Sequence, residues 1–171
     1  EVTVVYAPGG IKRCARCEEP CERQVPPPRQ REAVFRRNGR PPREGARQCL
    51  ADALAAQGLD LAGWRLVPTD PSACGNEALK TLPHIEQVFV NAPAGMERGE
   101  FQRRLFLARR QAEKGLESQD PHFYMPSLAV DVIAYKGLVM PANLPVFFRD
   151  LDDARMESSL AVFHQRFSTN T

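Results

Sequence analysis

The residues with the clearest chemical potential lie near position 165 of the sequence. An apolar run from Ser159 to Phe163 predicts a buried strand, and the sequence His-Gln-Arg-Phe-Ser-Thr-Asn follows it directly. A strand that ends in a guanidinium, an aromatic ring and two hydroxyl groups can place a binding site at its tip. The planar guanidinium of Arg166 suits bidentate binding of a carboxylate. Alternatively, Arg166 is a strand-end arginine that only pairs with Asp150 or Asp152.

A second group of candidate ligands is a cysteine cluster near the start, Cys14, Cys17 and Cys21. Two cysteines three positions apart can share a metal ion, and a third can join them. Zinc takes four ligands, and Cys49 could in principle serve as the fourth. A lone cluster of three cysteines is a weak predictor, so we predict no metal site. A zinc- and nucleic-acid-binding module through this Cys- and Arg-rich arm is the alternative function.

The composition changes abruptly at position 48. Residues 1–47 contain 10 arginines and 7 of the 15 prolines but no leucine, and the first leucine is Leu50. A segment without leucine has little with which to build a core, so we expect extended, solvated chain. Its only aromatic residues are Tyr6 and Phe35, which disfavours a base-stacking surface for nucleic acid. We predict that residues 1–47 form a separate segment, either disordered or translated in a shifted reading frame.

Length, charge, hydropathy and cysteine content exclude several broad classes of protein. A chain of 171 residues can bury a sizeable core. The net charge of +2 does not indicate binding to nucleic acid or to a membrane surface. No apolar stretch is long enough to span a bilayer and no signal peptide pattern is visible, so we expect a cytoplasmic protein. Five cysteines in a chain of this size do not suggest a disulfide scaffold.

The elements that must position these residues are strands and helices in alternation. The long helix presents one apolar face, formed by Phe101, Leu105, Ala108 and Ala112. The predicted strands are 1–7, 59–68, 85–90, 123–129, 132–135 and 158–167, and the predicted helices are 48–57, 77–82, 97–116 and 144–148. Strands 123–129 and 132–135 are adjacent and predict a hairpin. Mixed elements with antiparallel neighbours indicate the α+β class.

Five motifs occur in the order that is found in one known family. They are Trp-Arg-Leu-Val-Pro-Thr at 64–69, Pro-His-Ile-Glu-Gln-Val-Phe-Val at 83–90, Leu-Phe-Leu-Ala-Arg-Arg at 105–110, Tyr-Lys-Gly-Leu-Val-Met-Pro at 135–141 and His-Gln-Arg-Phe-Ser-Thr-Asn-Thr at 164–171. Residues 48–171 thereby resemble the class II glutamine amidotransferases, in the form found in the large subunit of glutamate synthase. The resemblance implies a layered α-β-β-α, Ntn-hydrolase-like domain, of which residues 48–171 would form a part.

The resemblance also implies a reaction. The family hydrolyses glutamine to glutamate and ammonia with an N-terminal cysteine, whose thiol attacks the amide while its own amine acts as the base. In glutamate synthase the ammonia is transferred to 2-oxoglutarate in glutamate biosynthesis. By resemblance, Arg166 binds the α-carboxylate of glutamine, Phe167 is the neighbouring aromatic residue, and Thr169 is the hydroxyl residue that helps to hold the substrate.

No catalytic residue is carried over to this chain. Residue 1 is Glu1 instead of cysteine, and the Cys74-Gly75 pair lies in the middle of the domain, where it has no free amine. The oxyanion-hole segment of the family is expected beyond Thr171. We therefore expect a fragment that is inactive on its own.

The resemblance finally implies cofactors and partners. FMN, an iron-sulfur cluster and NAD(P)H belong to the parent enzyme, and we expect none of them in this chain. Glutamine is the expected ligand, and the small subunit of glutamate synthase is a candidate partner. We expect no membrane contact and no nucleic-acid binding.

Overall fold

The computed structural model describes residues 2–8, 30–31, 34–36, 43–120 and 123–165. Before residue 45 the description covers the backbone alone. The strands are β1 (Val2–Pro8), β2 (Gln30–Arg31), β3 (Val34–Arg36), β4 (Asp60–Leu66), β5 (His84–Asn91), β6 (Ile133–Gly137) and β7 (Ser158–His164). The helices are α1 (Arg43–Ala56), α2 (Asn76–Lys80), α3 (Arg98–Leu116) and α4 (Leu144–Phe147). Short 3-10 turns cover Pro71–Ala73, Pro141–Asn143 and Arg149–Asp152.

The described strands form two antiparallel sheets. One sheet has three strands in the order β6-β1-β7. In the other, β5 pairs with β4 along most of its length, and β2 and β3 pair with successive parts of β5. The mixture of helices with antiparallel strands confirms the α+β class. The finer α-β-β-α layering stays a prediction.

Strand β5 separates two apolar clusters because successive residues of a strand point to opposite faces. Val88 and Val90 belong to the larger cluster, which lies between this sheet and helices α1 and α3. Ile85 belongs to the smaller cluster, which contains an edge-to-face triplet of rings. This triplet consists of Tyr135, Phe148 and Phe147, with ring centroids 5.0 Å and 4.7 Å apart.

The predicted apolar face of the long helix is confirmed, because Phe101, Leu105, Ala108 and Ala112 are all buried. Helix α1 begins five residues earlier than predicted, at Arg43. The sequence Pro41-Pro42 precedes it, and proline is well tolerated just before or within a first helical turn.

The predicted hairpin at 123–135 is wrong in its first half. Residues 133–137 form β6, but residues 123–129 do not form a strand, and β6 pairs with β1. Pro126 has no N–H to donate to a ladder. The hydroxyl of Ser127 accepts a hydrogen bond from the Ala134 N–H at 3.0 Å. The Ser127 side chain thus takes the place of the backbone carbonyl that a hairpin strand would supply.

The predicted burial of the last strand is also wrong. Strand β7 begins at Ser158 as predicted and ends at His164, but six of its seven residues are exposed. It lies at the end of the strand order β6-β1-β7, and nothing in the described part of the chain covers it. An apolar strand is buried only where another sheet or a helix packs against it.

A polar network centred on Arg65 joins the two sheets. Its Nε and Nη2 donate to the side-chain carbonyl of Gln87 on β5 at 2.9 and 2.6 Å, and its Nη1 donates to Asp150 at 3.0 Å. Tyr135 on β6 donates to the same carboxylate at 3.1 Å. Burial, and then the Asp150 carboxylate, raise the pKa of Tyr135 well above its ordinary value, so the hydroxyl remains a donor. The network thus connects β4, β5, β6 and the turn at 149–152.

Shortening a core side chain between α1 and α3 should destabilise the fold. Leu105 is fully buried there, and Leu105→Ala should lower the free energy of unfolding by about 2–5 kcal/mol through lost burial and a residual cavity. Phe106→Ala on the exposed side of the same helix is the matched control, and should change it by much less. Urea unfolding followed by circular dichroism measures both. Equal losses would contradict the assigned helix face.

Removing the Arg65 guanidinium should weaken the link between the sheets. Arg65→Met leaves the Asp150 carboxylate and the buried Gln87 carbonyl without their main donor, and we expect a loss of about 2 kcal/mol. Arg155→Met removes an exposed guanidinium that pairs with Asp153, and should change the free energy of unfolding by less than about 0.5 kcal/mol. Urea titration compares the two variants. A loss for Arg65→Met no larger than for Arg155→Met would show that the network does not stabilise the fold.

Candidate functional site

The candidate site is the end of the three-stranded sheet at which β1 begins and β6 and β7 end. Thr3 on β1 lies opposite Lys136 on one side and opposite His164 on the other. Residues that lie directly opposite in antiparallel strands point to the same face. Lys136 and His164 therefore share a face, with their Cα atoms roughly 10 Å apart across two strand spacings.

Strand β6 is held in position by Tyr135, the neighbour of Lys136. The Tyr135 ring packs edge-to-face on Phe148, and its hydroxyl donates to Asp150. Because Tyr135 and Lys136 point to opposite faces of the strand, fixing the ring in the core directs the lysine to the other face. The backbone of β6 is anchored further by the bond from Ala134 to Ser127.

The ammonium of Lys136 lies against an aromatic ring in a half-buried position. Its Nζ is 5.2 Å from the centroid of the Tyr124 ring, a cation–π distance. Burial lowers the pKa of Lys136 below its ordinary value. Burial also raises the pKa of Tyr124 to about 12, so the phenol is neutral at physiological pH. A partly desolvated cation at a strand end can attract an anionic group.

The predicted ligand residues follow this point in the chain. Strand β7 ends at His164, and Gln165 is the last described residue. Arg166, Phe167 and Thr169 lie outside the described residues, so their roles stay predictions. The suggested alternative partner Asp150 is bound by Arg65 and Tyr135.

Of the five cysteines, Cys49 and Cys74 are described, and the Cys49 thiol donates to the Ala112 carbonyl at 3.8 Å. Cys14, Cys17 and Cys21 lie outside the described residues, so the zinc hypothesis stays a prediction. Cys74 packs against the smaller core cluster between a 3-10 turn and α2. Burial, and then the Asp70 carboxylate, raise the pKa of its thiol, whereas a nucleophilic cysteine requires a lowered one. Elsewhere in the described ranges, no three His, Cys, Asp or Glu side chains group to bind a metal ion.

A buried carboxylate that the sequence reading missed lies on β5. Glu86 accepts hydrogen bonds from Arg47 of α1 at 2.9 and 2.5 Å, and its carboxylate is 2.8 Å from Nε2 of His84. Burial by itself would raise the pKa of Glu86, but the hydrogen bonds from Arg47 and His84 outweigh it and lower the pKa. The Arg47 guanidinium also lies 5.4 Å from the Trp64 ring centroid. These contacts join α1 to β5. In the sequence, the only indication of this cluster is a glutamate within an otherwise apolar strand.

The described helices include none that is long and apolar enough to cross a membrane.

Comparisons with known proteins agree on one family. The family model "Glutamine amidotransferases class-II" matches residues 27–171. The chain is 35% identical over 130 residues to the chloroplastic ferredoxin-dependent glutamate synthase of Spinacia oleracea, covering 75% of this chain. It is 39% identical over 126 residues to the ferredoxin-dependent glutamate synthase of Pyropia yezoensis, covering 71% of this chain. It is 37% identical over 129 residues to the glutamate synthase [NADPH] large chain of Azospirillum brasilense, covering 75% of this chain.

These alignments cover only a small part of each relative. The chain spans about 8% of the length of the three glutamate synthases. The resemblance predicted from the five ordered motifs is confirmed. The chain belongs to the class II glutamine amidotransferases, in the form found in glutamate synthases.

Proposed function

We propose that this chain is a glutamine-recognising part of a glutamate synthase, in which glutamine is hydrolysed to glutamate and ammonia for transfer to 2-oxoglutarate. The observation that carries this proposal is the family match over residues 27–171. The arrangement of the three-stranded sheet supports it. Strand β7 leads to the arginine motif at the end of the sheet where β1 begins.

Glutamine would bind through the residues that follow β7. The guanidinium of Arg166 would hold the α-carboxylate through two parallel hydrogen bonds. Phe167 would pack against the aliphatic part of the ligand, and the hydroxyl of Thr169 would add a hydrogen bond. The half-buried ammonium of Lys136, on the same face of the sheet as His164, would add to the positive potential that attracts the carboxylate.

Hydrolysis in this family requires a nucleophilic thiol together with a free amine. Class II amidotransferases form a thioester between the substrate acyl group and an N-terminal cysteine, whose amine accepts the thiol proton. Burial raises the pKa of the two described thiols, Cys49 and Cys74, which disfavours the nucleophilic thiolate. The activity that we propose for these residues is glutamine binding without turnover.

The remaining chemistry of glutamate synthase would lie elsewhere. The FMN, iron-sulfur and NAD(P)H sites would belong to the parts of the relatives that this chain does not align with, since the alignment covers about 8% of their length. Contact with a small subunit would likewise be made by the longer protein.

Glutamine binding should depend on Arg166. We expect the 171-residue chain to bind glutamine in isothermal titration calorimetry, and Arg166→Met to weaken binding about 10- to 100-fold, the value of a charge-assisted bidentate contact of roughly 1.5–3 kcal/mol. Arg155→Met, which removes an exposed arginine on the turn before β7, should leave the affinity unchanged. No binding by the unaltered chain, or equal binding by both variants, would contradict the proposed site.

The chain should release no ammonia from glutamine. The measurement is a coupled glutamate dehydrogenase assay for ammonia, with a variant in which all five cysteines are serine as the control. We expect equal background rates because burial raises the pKa of the Cys49 and Cys74 thiols and so disfavours their nucleophilic form. Release of ammonia above that control would show that another residue of this chain acts as the nucleophile.

A further inference from the structure

The segment that precedes β6 is anchored in the core on both sides of Tyr124. Phe123 and Met125, its neighbours in the chain, are buried in the larger apolar cluster. The Ser127 hydroxyl then accepts the Ala134 N–H of β6 at 3.0 Å. The backbone of Tyr124 is therefore fixed between the core and strand β6.

The far end of the same segment is bound to helix α3. The Val130 N–H donates to the side-chain carbonyl of Gln102 at 2.8 Å, and the Asp131 carboxylate pairs with Arg98. Both partners lie in the first two turns of α3. A segment with such contacts at both ends can hold an aromatic ring in one place.

The side chain of Lys136 extends from β6 to this ring. Its Nζ lies 5.2 Å from the centroid of the Tyr124 ring, which is within cation–π range. Ordering the end of a lysine side chain costs rotamer entropy. Burial lowers the pKa of Lys136, because it disfavours the charged form. Both effects oppose folding, and a cation that is held at such a cost is typical of functional sites.

Lys136 lies at the end of the sheet that leads to the arginine motif. Thr3 places Lys136 and His164 in one row on the same face, and Arg166 follows His164 by two positions. A carboxylate has about four lone-pair sites, and a bidentate guanidinium leaves some of them open. An ammonium can therefore contact the same carboxylate without displacing the arginine.

We propose that Lys136 is a second carboxylate-binding residue of the glutamine site, and that Tyr124 positions its ammonium there. Arg166 holds the α-carboxylate through parallel hydrogen bonds, and Lys136 donates to a lone pair that the guanidinium leaves open. The ammonium thus makes a directed contact in addition to its general positive potential. This inference rests on the proposed glutamine site and adds to it two residues outside the arginine motif.

Glutamine affinity should depend on the charge of Lys136. We expect Lys136→Met to weaken binding about 10-fold in isothermal titration calorimetry, the lower end of the range for a hydrogen bond to a charged group. Lys136→Arg keeps the positive charge and should bind more tightly than Lys136→Met. The matched control is Lys114→Met, which removes an exposed lysine from the last turn of α3 and should bind like the unaltered chain. Equal affinity of a folded Lys136→Met variant and the unaltered chain would overturn the proposal.

The Tyr124 ring should act through Lys136. We expect Tyr124→Leu to weaken glutamine binding about 3-fold, comparable with the loss of one exposed cation–π contact. Tyr124→Phe keeps the ring and should bind more tightly than Tyr124→Leu. In a Lys136→Met background, Tyr124→Leu should cause no further loss, because the ammonium that the ring positions is already absent. Additive losses in the double variant would overturn the positioning role of Tyr124.

Chemical acetylation provides a readout on the unaltered chain. An amine-reactive acetyl ester modifies lysine side chains, and peptide mass spectrometry gives the rate at each lysine. Saturating glutamine should slow the acetylation of Lys136, since an ammonium that binds a carboxylate is less available as a free amine, and should leave the rate at Lys114 unchanged. An unchanged rate at Lys136 would overturn the proposal.

These measurements separate the two proposals. Glutamine binding that depends on Arg166 but not on Lys136, without protection of Lys136 from acetylation, would overturn this inference and leave the proposed function intact. Absence of glutamine binding by the unaltered chain would overturn both.

Discussion

The fold depends on the hydrogen bonds of the Arg65 guanidinium, which bring three strands and a turn to one point. Arg65 contacts Gln87 and Asp150, and Tyr135 completes the network from β6. Gln87 is fully buried, so its carbonyl would be costly to leave without a donor. Shape complementarity alone could position the two sheets in several similar ways. Directional bonds to one planar group select a single arrangement.

That arrangement determines what the ends of the strands can do. Tyr135 is fixed on one face of β6 by Phe148 and Asp150, so Lys136 is directed to the other face. Strand β1 then places Lys136 and His164 in one row. A network in the interior thus positions Lys136 and His164 at the sheet end from which the arginine motif continues. Loss of the network would be expected to disturb that end without altering any ligand residue.

Strand β7 combines a sequence motif with functional potential and exposed apolar side chains. It leads to the motif that resembles a glutamine site, and within the described part of the chain its Leu160, Val162 and Phe163 side chains are exposed. The Ser158 hydroxyl donates to the Leu160 carbonyl at 2.7 Å and accepts from the Leu160 N–H at 3.3 Å, so the backbone at this position already has a side-chain partner.

The sequence by itself determined the family, the α+β class and the existence of most elements, because ordered motifs and apolar periodicity are local properties. It identified the buried face of α3, whose residues recur at helical spacing. It did not determine the partner of β6, the exposure of β7 or the networks around Arg65 and Glu86. Those depend on which distant segments meet: Arg65 and Asp150 are 85 positions apart. Only the tertiary structure decides such pairings, since burial and long-range hydrogen bonds are properties of neighbours in space.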